Sequence, residues 1–172
     1  MRAISLATVF VAIAGYLVIW VANKGLPTAG YEDFMVYWSL FFAMTGVLDG
    51  LMQETARAVS TRRAQTNPCP APRPFALTGY IALVIGALVL ITGPLWISEL
   101  VPGLTGWGLV LLAVGLACYT FQATVCGLLS ANHSWPSFAW LMAIDSGVRL
   151  ALAVVAWLLG WQLLAYLFVT VI

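Results

Sequence analysis

The sequence predicts an all-α protein, a polytopic transmembrane helix bundle with five full spanning helices plus a truncated sixth. Of its 172 residues, 63% are hydrophobic and 8% are charged, whereas a soluble domain has roughly 25% charged residues. The apolar segments reach about 20 residues, the length that a helix needs to cross a bilayer. The alternating segments typical of a membrane β-barrel do not occur. We therefore expect residues 1–172 to form a single transmembrane domain.

Composition also excludes several classes of function. A net charge of +1 is atypical of a nucleic-acid-binding protein, which carries a strongly basic surface. The three cysteines form no CxxC motif or Cys/His cluster, so we expect no metal site and no disulfide framework. Without a nucleophile–base arrangement or a Gly-rich phosphate loop, we expect no enzyme, no catalytic residue and no cofactor. The single histidine, His133, lies in a short loop and is assigned no role.

The first two helices are predicted at 3–22 and 34–57. The first apolar run exceeds the roughly 7–15 residues of a signal-peptide core, so we interpret it as a retained spanning helix. The second helix begins with aromatic residues suited to a membrane interface and is polar in its second half. There, Asp49, Gln53 and Arg57 follow one another at i, i+4 spacing, which predicts one shared face.

An Arg/Pro-rich segment at 58–74 follows, with three arginines and four prolines, and predicts an extended cytoplasmic loop. Its arginines have two interpretations, a topology signal or a contact with anionic lipid heads, and we favour the first. With the N-terminus in the cytoplasm, the inner helix ends and loops hold five arginines and the outer loops hold only Lys24. This asymmetry predicts a multi-pass protein of the cytoplasmic (inner) cell membrane with a cytoplasmic N-terminus.

The later helices are predicted at 75–97, 107–130 and 137–159, with a sixth from about residue 161. Tyr119 and Gln122 in the fourth helix are expected either to hydrogen-bond neighbouring helices or to face a cavity. In the fifth helix, Asp145 and Arg149 at i, i+4 are expected to pair. The sixth segment has about 12 residues, too few to cross a bilayer, so we expect the chain to be a fragment of a longer protein.

A resemblance to a known family is carried by residues in and before the second helix. The stretch from Leu26 to Ser60 is similar to the N-terminal signature of polysaccharide flippases of the multidrug/oligosaccharidyl-lipid/polysaccharide (MOP) superfamily. The similarity is clearest over residues 4–60. The matching positions are a turn formed by Pro27, Gly30, Tyr31 and Phe34, and a second element formed by Asp49, Gly50, Leu51 and Arg57.

The resemblance implies that this chain is the first lobe of a transporter that moves a lipid-linked saccharide across the membrane for cell-envelope polysaccharide biosynthesis. Membrane lipid and a lipid-linked sugar would be its partners, and either a missing C-terminal lobe or a second copy of the chain would complete the pathway. It also implies a polar cavity, for which the candidate residues are Asp49, Gln53, Arg57, Asp145 and Arg149.

More than one role is compatible with each of these candidates. Arginine suits a phosphate because its planar fork binds two oxygens at once, and we hypothesise that Arg149 touches a substrate phosphate. The carboxylates either bind a coupling proton or sodium ion or neutralise the arginines. For Asp145–Arg149 we favour a pair that fixes the helix in the bundle, and for Asp49 function and packing are equally weighted. The alternative function is a non-transporting scaffold or accessory subunit of an envelope-polysaccharide assembly.

Overall fold

A computed structural model describes residues 2–64, 74–102, 104 and 106–172, with side chains described from residue 4 onward and not for residue 64. All regular structure in these residues is helical, which confirms the predicted all-α bundle. Five of the helices are long and apolar enough to cross a membrane. The helices are α1 (Arg2–Gly25), α2 (Thr28–Ala64), α3 (Pro74–Leu100), α4 (Gly106–Ala131), α5 (Trp135–Leu158) and α6 (Leu163–Val171).

The helices form two groups. In one group α1 packs along α5, and in the other α2 and α3 both pack on α4. Contacts between the groups, from α1 to α2 and from α4 to α5, are sparse in comparison. The short helix α6 lies between the groups and touches α2, α4 and α5. The described bundle therefore consists of two tightly packed helix groups that are joined by α6.

Helix α6 joins the two groups because it contributes side chains to two apolar clusters. Tyr166 belongs to a buried cluster with residues of α1, α2 and α5, including Phe34. The next residue, Leu167, belongs to a second cluster with residues of α2, α3 and α4. Nine residues of helix extend only about 14 Å, and Val171 lies beside Gly115, near the middle of α4. Consequently α6 fills the space between the groups in only one half of the bundle.

The second helix is longer than predicted at both ends, whereas the other predicted ends differ by at most three residues. Residues 58–64 of the predicted loop continue α2, and residues 65–73 lie outside the described part. Arg63 explains this extension, since it donates to the Ala131 carbonyl at 3.0 Å and to the Asn132 side chain. Carbonyls at a helix end lack partners within the helix, so Arg63 holds the last turn of α2 against the end of α4.

Two tight turns end α4 and α5 in the same way. His133 has a φ of 53° and Gly160 a φ of 63°, both in the left-handed region. The amide of the following residue donates to the carbonyl five positions earlier in each case, from Ser134 to Leu129 and from Trp161 to Ala156. This is the Schellman arrangement, which usually places glycine at the left-handed position. His133 therefore has a structural role in reversing the chain between α4 and α5.

The tight contact between α2 and α4 depends on Gly127. A Cβ at this position would lie 2.6 Å from the Met52 carbonyl oxygen and 2.8 Å from the Cβ of Thr55. The first atom is in the backbone of α2 and the second is bonded directly to that backbone. Rotation of a side chain therefore does not relieve the overlap. Small residues at such positions let membrane helices approach closely.

We predict that Gly127→Ala lowers the free energy of unfolding by about 1–3 kcal/mol, because α2 and α4 must separate to admit the methyl group. The measurement is denaturant unfolding of the purified protein in detergent. Gly50→Ala is the matched control, since no atom lies within 4 Å of a Cβ built there. Equal stability of the two variants would contradict a close helix contact at Gly127.

Candidate functional site

A charged pair lies near the middle of α5. Asp145 and Arg149 are one helical turn apart, and Oδ2 of the carboxylate is 3.2 Å from Nη2 of the guanidinium. Their side chains are 19% and 13% exposed, respectively. The pair expected from the i, i+4 spacing is therefore formed, and it is largely removed from the surface. Because a single charge at the centre of a membrane helix costs about 2.5 kcal/mol or more, each residue stabilises the charged form of the other.

Helix α4 extends this pair into a cluster that reaches α2. The side chain of Gln122 lies close to Asp145, and the two border the same cavity. One turn away on α4, the Tyr119 hydroxyl donates to Oδ1 of Asp49 at 2.6 Å. We call these five residues, Asp49, Tyr119, Gln122, Asp145 and Arg149, the polar cluster. It brings α2, α4 and α5 together where apolar contact between the two helix groups is sparse.

Arg149 keeps hydrogen-bonding capacity after these contacts are made. Its guanidinium carbon lies 5.6 Å from the ring centroid of Phe42, within the range of a cation–π contact. Its Nε is buried and has no hydrogen-bond partner among the described residues. A buried donor without a partner costs about 1–3 kcal/mol. The guanidinium therefore has an N–H that can still donate a hydrogen bond to an oxygen of a ligand.

A cavity of about 250 Å³ lies beside this guanidinium. Ser146 and Arg149 of α5 line one side, and Trp38 and Phe42 of α2 line another. One face of α1, between Val11 and Ile19, completes the wall. A second cavity of about 310 Å³ is bordered by Gln122 and Asp145 on the α4–α5 side. Apart from Arg149 and Ser146, the side chains around the first cavity are apolar or aromatic. Such a site can hold one anionic group against the arginine.

The other two candidates are not in the polar cluster. Gln53 and Arg57 are exposed, and Arg57 makes a loose ion pair with Glu54 at 3.9 Å, with side chains 79% and 69% exposed. Each step of four residues turns a helix by about 400°, so successive i+4 positions drift by about 40°. Asp49 faces α4, whereas two such steps move Arg57 away from it. The predicted common face of Asp49, Gln53 and Arg57 is therefore split.

Two contributions were not identified as part of the site from sequence. Tyr119 and Gln122 were recognised as polar positions of the fourth helix, but their partners depend on how α4 crosses α2 and α5. Phe42 had no polar signal at all, and only the packing places its ring by Arg149. Within the described residues, no group of three or more His, Cys, Asp or Glu residues is arranged to hold a metal ion.

We predict that Asp145→Asn and Arg149→Gln each lower the free energy of unfolding by about 2–3 kcal/mol, because each leaves the opposite charge unpaired. The double variant should lose less than the sum of the two, since it removes both charges. Glu54→Gln and Arg57→Gln form the matched control cycle, with additive effects below about 1 kcal/mol. Additive losses at Asp145 and Arg149 in detergent unfolding experiments would contradict a coupled pair.

Comparison with known proteins identifies mycobacterial relatives. The chain is 33% identical over 169 residues to uncharacterized protein Mb3654 of Mycobacterium bovis, an alignment that covers 96% of this chain and 39% of that protein. It is 34% identical over 162 residues to uncharacterized protein Rv1510 of Mycobacterium tuberculosis, covering 94% of this chain and 38% of that protein. The chain thus spans about two fifths of the length of the curated relatives it matches.

No protein-family model matches the chain, and no solved structure matches it. The names of these relatives state no activity. The resemblance to polysaccharide flippases therefore stays a prediction, and the chain is placed among multi-pass, helical membrane proteins by its own five apolar helices.

Proposed function

We propose that the chain is a lobe of a membrane transporter that translocates a lipid-linked saccharide across the cytoplasmic membrane for cell-envelope polysaccharide biosynthesis. The observation that carries this proposal is Arg149, a largely buried guanidinium beside a cavity with a donor nitrogen that lacks a partner. Charged residues inside membrane helices commonly mark the path of a polar substrate. A phosphate of the lipid linker is the group that best fits an arginine fork.

The size of the cavity limits what this lobe binds alone. Ligand pockets for drug-sized molecules are roughly 300–1,000 Å³, and the cavity at Arg149 is about 250 Å³. It accommodates a phosphate group but not a phosphate with its saccharide and lipid. The saccharide and lipid would extend to a second lobe or a second copy of the chain, in keeping with relatives that are longer than this chain.

The packing offers a mechanism for opening and closing the cavity. The two helix groups are each tightly packed but touch sparsely, and α6 joins them in only one half of the bundle. Rigid groups that rock against one another are a common way for transporters to expose a site alternately to each side. In this proposal the polar cluster is the contact that re-forms with each cycle. Asp145 would keep Arg149 neutralised while no phosphate is bound.

The proposed orientation places the N-terminus in the cytoplasm. Arg57, Arg62 and Arg63 lie at the end of α2, and the α4–α5 turn is at the same end because Arg63 bonds to it. Lys24 is in the last turn of α1 and Glu99 is in the last turn of α3, and both turns lie at the other end of the bundle. Positive charge in short loops favours the cytoplasmic side.

A scaffold or accessory subunit is the second candidate, and one surface favours it. Gly46 and Gly50 on α2 have open space around them, and the polar Gln53 continues the same exposed face. Two small residues four apart with a polar neighbour form a surface on which a second membrane helix packs well. Under this reading the charged pair would only fix α5, and the protein would hold a partner in place.

For the transport proposal, we predict that Arg149→Gln lowers the initial rate of translocation about tenfold or more, because a charge-assisted hydrogen bond to phosphate is lost. Arg149→Lys should also be slower, because a lysine does not bind two phosphate oxygens at once. The measurement uses the intact native protein in proteoliposomes and a fluorescent lipid-linked saccharide quenched from one side. Arg57→Gln, in an exposed ion pair, is the control and should leave the rate unchanged.

The outcomes separate the two candidates. A full rate for Arg149→Lys would exclude bidentate phosphate recognition, and a full rate for Arg149→Gln would exclude the polar cluster as the substrate site. If the folded wild-type protein does not translocate the saccharide but co-purifies with another envelope-polysaccharide protein, the scaffold reading is correct. Each variant must elute as the wild type does in size exclusion, which distinguishes lost transport from lost folding.

For the orientation, we predict that a cysteine replacing Glu99 reacts with a membrane-impermeant maleimide added to intact cells, whereas a cysteine replacing His133 reacts only after lysis. Both positions are exposed and lie at opposite ends of the bundle. The experiment uses a background in which the three native cysteines are replaced. The reverse labelling pattern would place the N-terminus outside and contradict the positive-inside assignment.

A further inference from the structure

A groove between α2 and α3 lies apart from the polar cluster. These two helices touch each other sparsely, although both pack on α4. The space left between them is about 340 Å³ and is bordered by one face of α2, from Leu51 to Arg62, and by the first turns of α3, from Pro74 to Thr78. At 1.5 Å per residue, the α2 wall extends about 16 Å. The groove runs along α2 and is partly open to the surroundings.

The wall of the groove changes from apolar to basic along its length. Leu51 and Leu77 lie in the part of the wall within the bundle, and Leu77 is 57% exposed. Arg62 lies at the far end, one position from Arg63, which bonds to the α4–α5 turn. The groove therefore passes from the hydrocarbon layer to the level where phosphate head groups lie. This polarity matches that of one phospholipid chain and its head group.

Arg62 differs from the neighbouring arginines in its contacts with the described residues. Arg63 donates to the Ala131 carbonyl, and Arg57 faces Glu54 at 3.9 Å. The Arg62 guanidinium has no hydrogen bond or ion pair with any residue in the described ranges of the chain. Glu54 also borders the groove, but its carboxylate is oriented toward Arg57. The positive end of α3, which begins at Pro74, adds to the field at this mouth.

We propose that this groove binds one acyl chain of an anionic phospholipid from the leaflet at the Arg62 end, with Arg62 contacting the phosphate. The proposal concerns a structural lipid site and does not depend on transport. The bound lipid fills the space between α2 and α3 and covers their facing apolar side chains. Anionic lipid is favoured over zwitterionic lipid, because a basic side chain at the surface attracts the net negative charge.

The test is native mass spectrometry of the full chain in detergent, titrated with phosphatidylglycerol or with phosphatidylcholine of identical acyl chains. The wild type should retain one phosphatidylglycerol in preference to phosphatidylcholine. Arg62→Gln should weaken phosphatidylglycerol retention about fivefold and phosphatidylcholine retention less, because phosphatidylcholine has the phosphate but no net negative charge. Lys24→Gln is the control, since it removes one positive charge at the far end of the bundle and away from the groove, and it should leave retention unchanged.

A second variant tests the groove independently of charge. Ala58→Phe places a ring against the α2 wall and should reduce retention of both lipids. Its melting temperature in lipid-free detergent should equal or exceed that of the wild type. Equal losses for Arg62→Gln and Lys24→Gln would show that only diffuse surface charge attracts the lipid. Unchanged retention by Ala58→Phe, or no preference between the two lipids in the wild type, would also overturn the site.

Discussion

The need to pair polar side chains within an apolar bundle is the constraint on which the arrangement of the helices depends. Asp49, Asp145 and Arg149 all lie on helices apolar enough to cross a membrane. Each would be costly there alone, and each has a partner in the cluster on α4 or α5. Contact between α4 and α5 is sparse, and Gln122 of α4 lies close to Asp145 of α5 at the cavity between them. The polar cluster thus fixes helix positions that hydrophobic packing alone leaves loose.

In the half of the bundle that contains α6, the helices are held together by apolar packing rather than by polar contacts. Tyr166 of α6 is fully buried, and its ring packs against Phe34 with centroids 6.1 Å apart. Its hydroxyl has no hydrogen-bond partner in the described structure. A Cβ at position 25 would collide with this hydroxyl, so Gly25 lets the Tyr166 ring keep its place. The burial of a large ring outweighs one unsatisfied hydroxyl, because an aromatic side chain removes 150–250 Å² from solvent.

How much of this was predictable depends on the range of the interaction. Composition and apolar length predicted five spanning helices, and the i, i+4 spacing predicted the Asp145–Arg149 pair, because these properties are local to one segment. The partners of Asp49 were not predictable, since Tyr119 is 70 residues away and the contact depends on the crossing of α2 and α4. The end of α2 was missed for the same reason. Arginines and prolines predicted a loop, but a carbonyl 68 residues away holds Arg63 in a helix.

The three arginines at the end of α2 form one basic segment in the sequence, but they have different surroundings in the folded chain. For topology, Arg57, Arg62 and Arg63 count equally, since the positive-inside preference depends on their number near the membrane. In the folded chain Arg57 is in an exposed ion pair, Arg63 bonds to the end of α4, and Arg62 lies at the mouth of a groove. Their positions on the helix create the difference, because one residue step turns the side chain by about 100°. A charge cluster that orients the chain during insertion can therefore supply both a helix clamp and a ligand contact after folding.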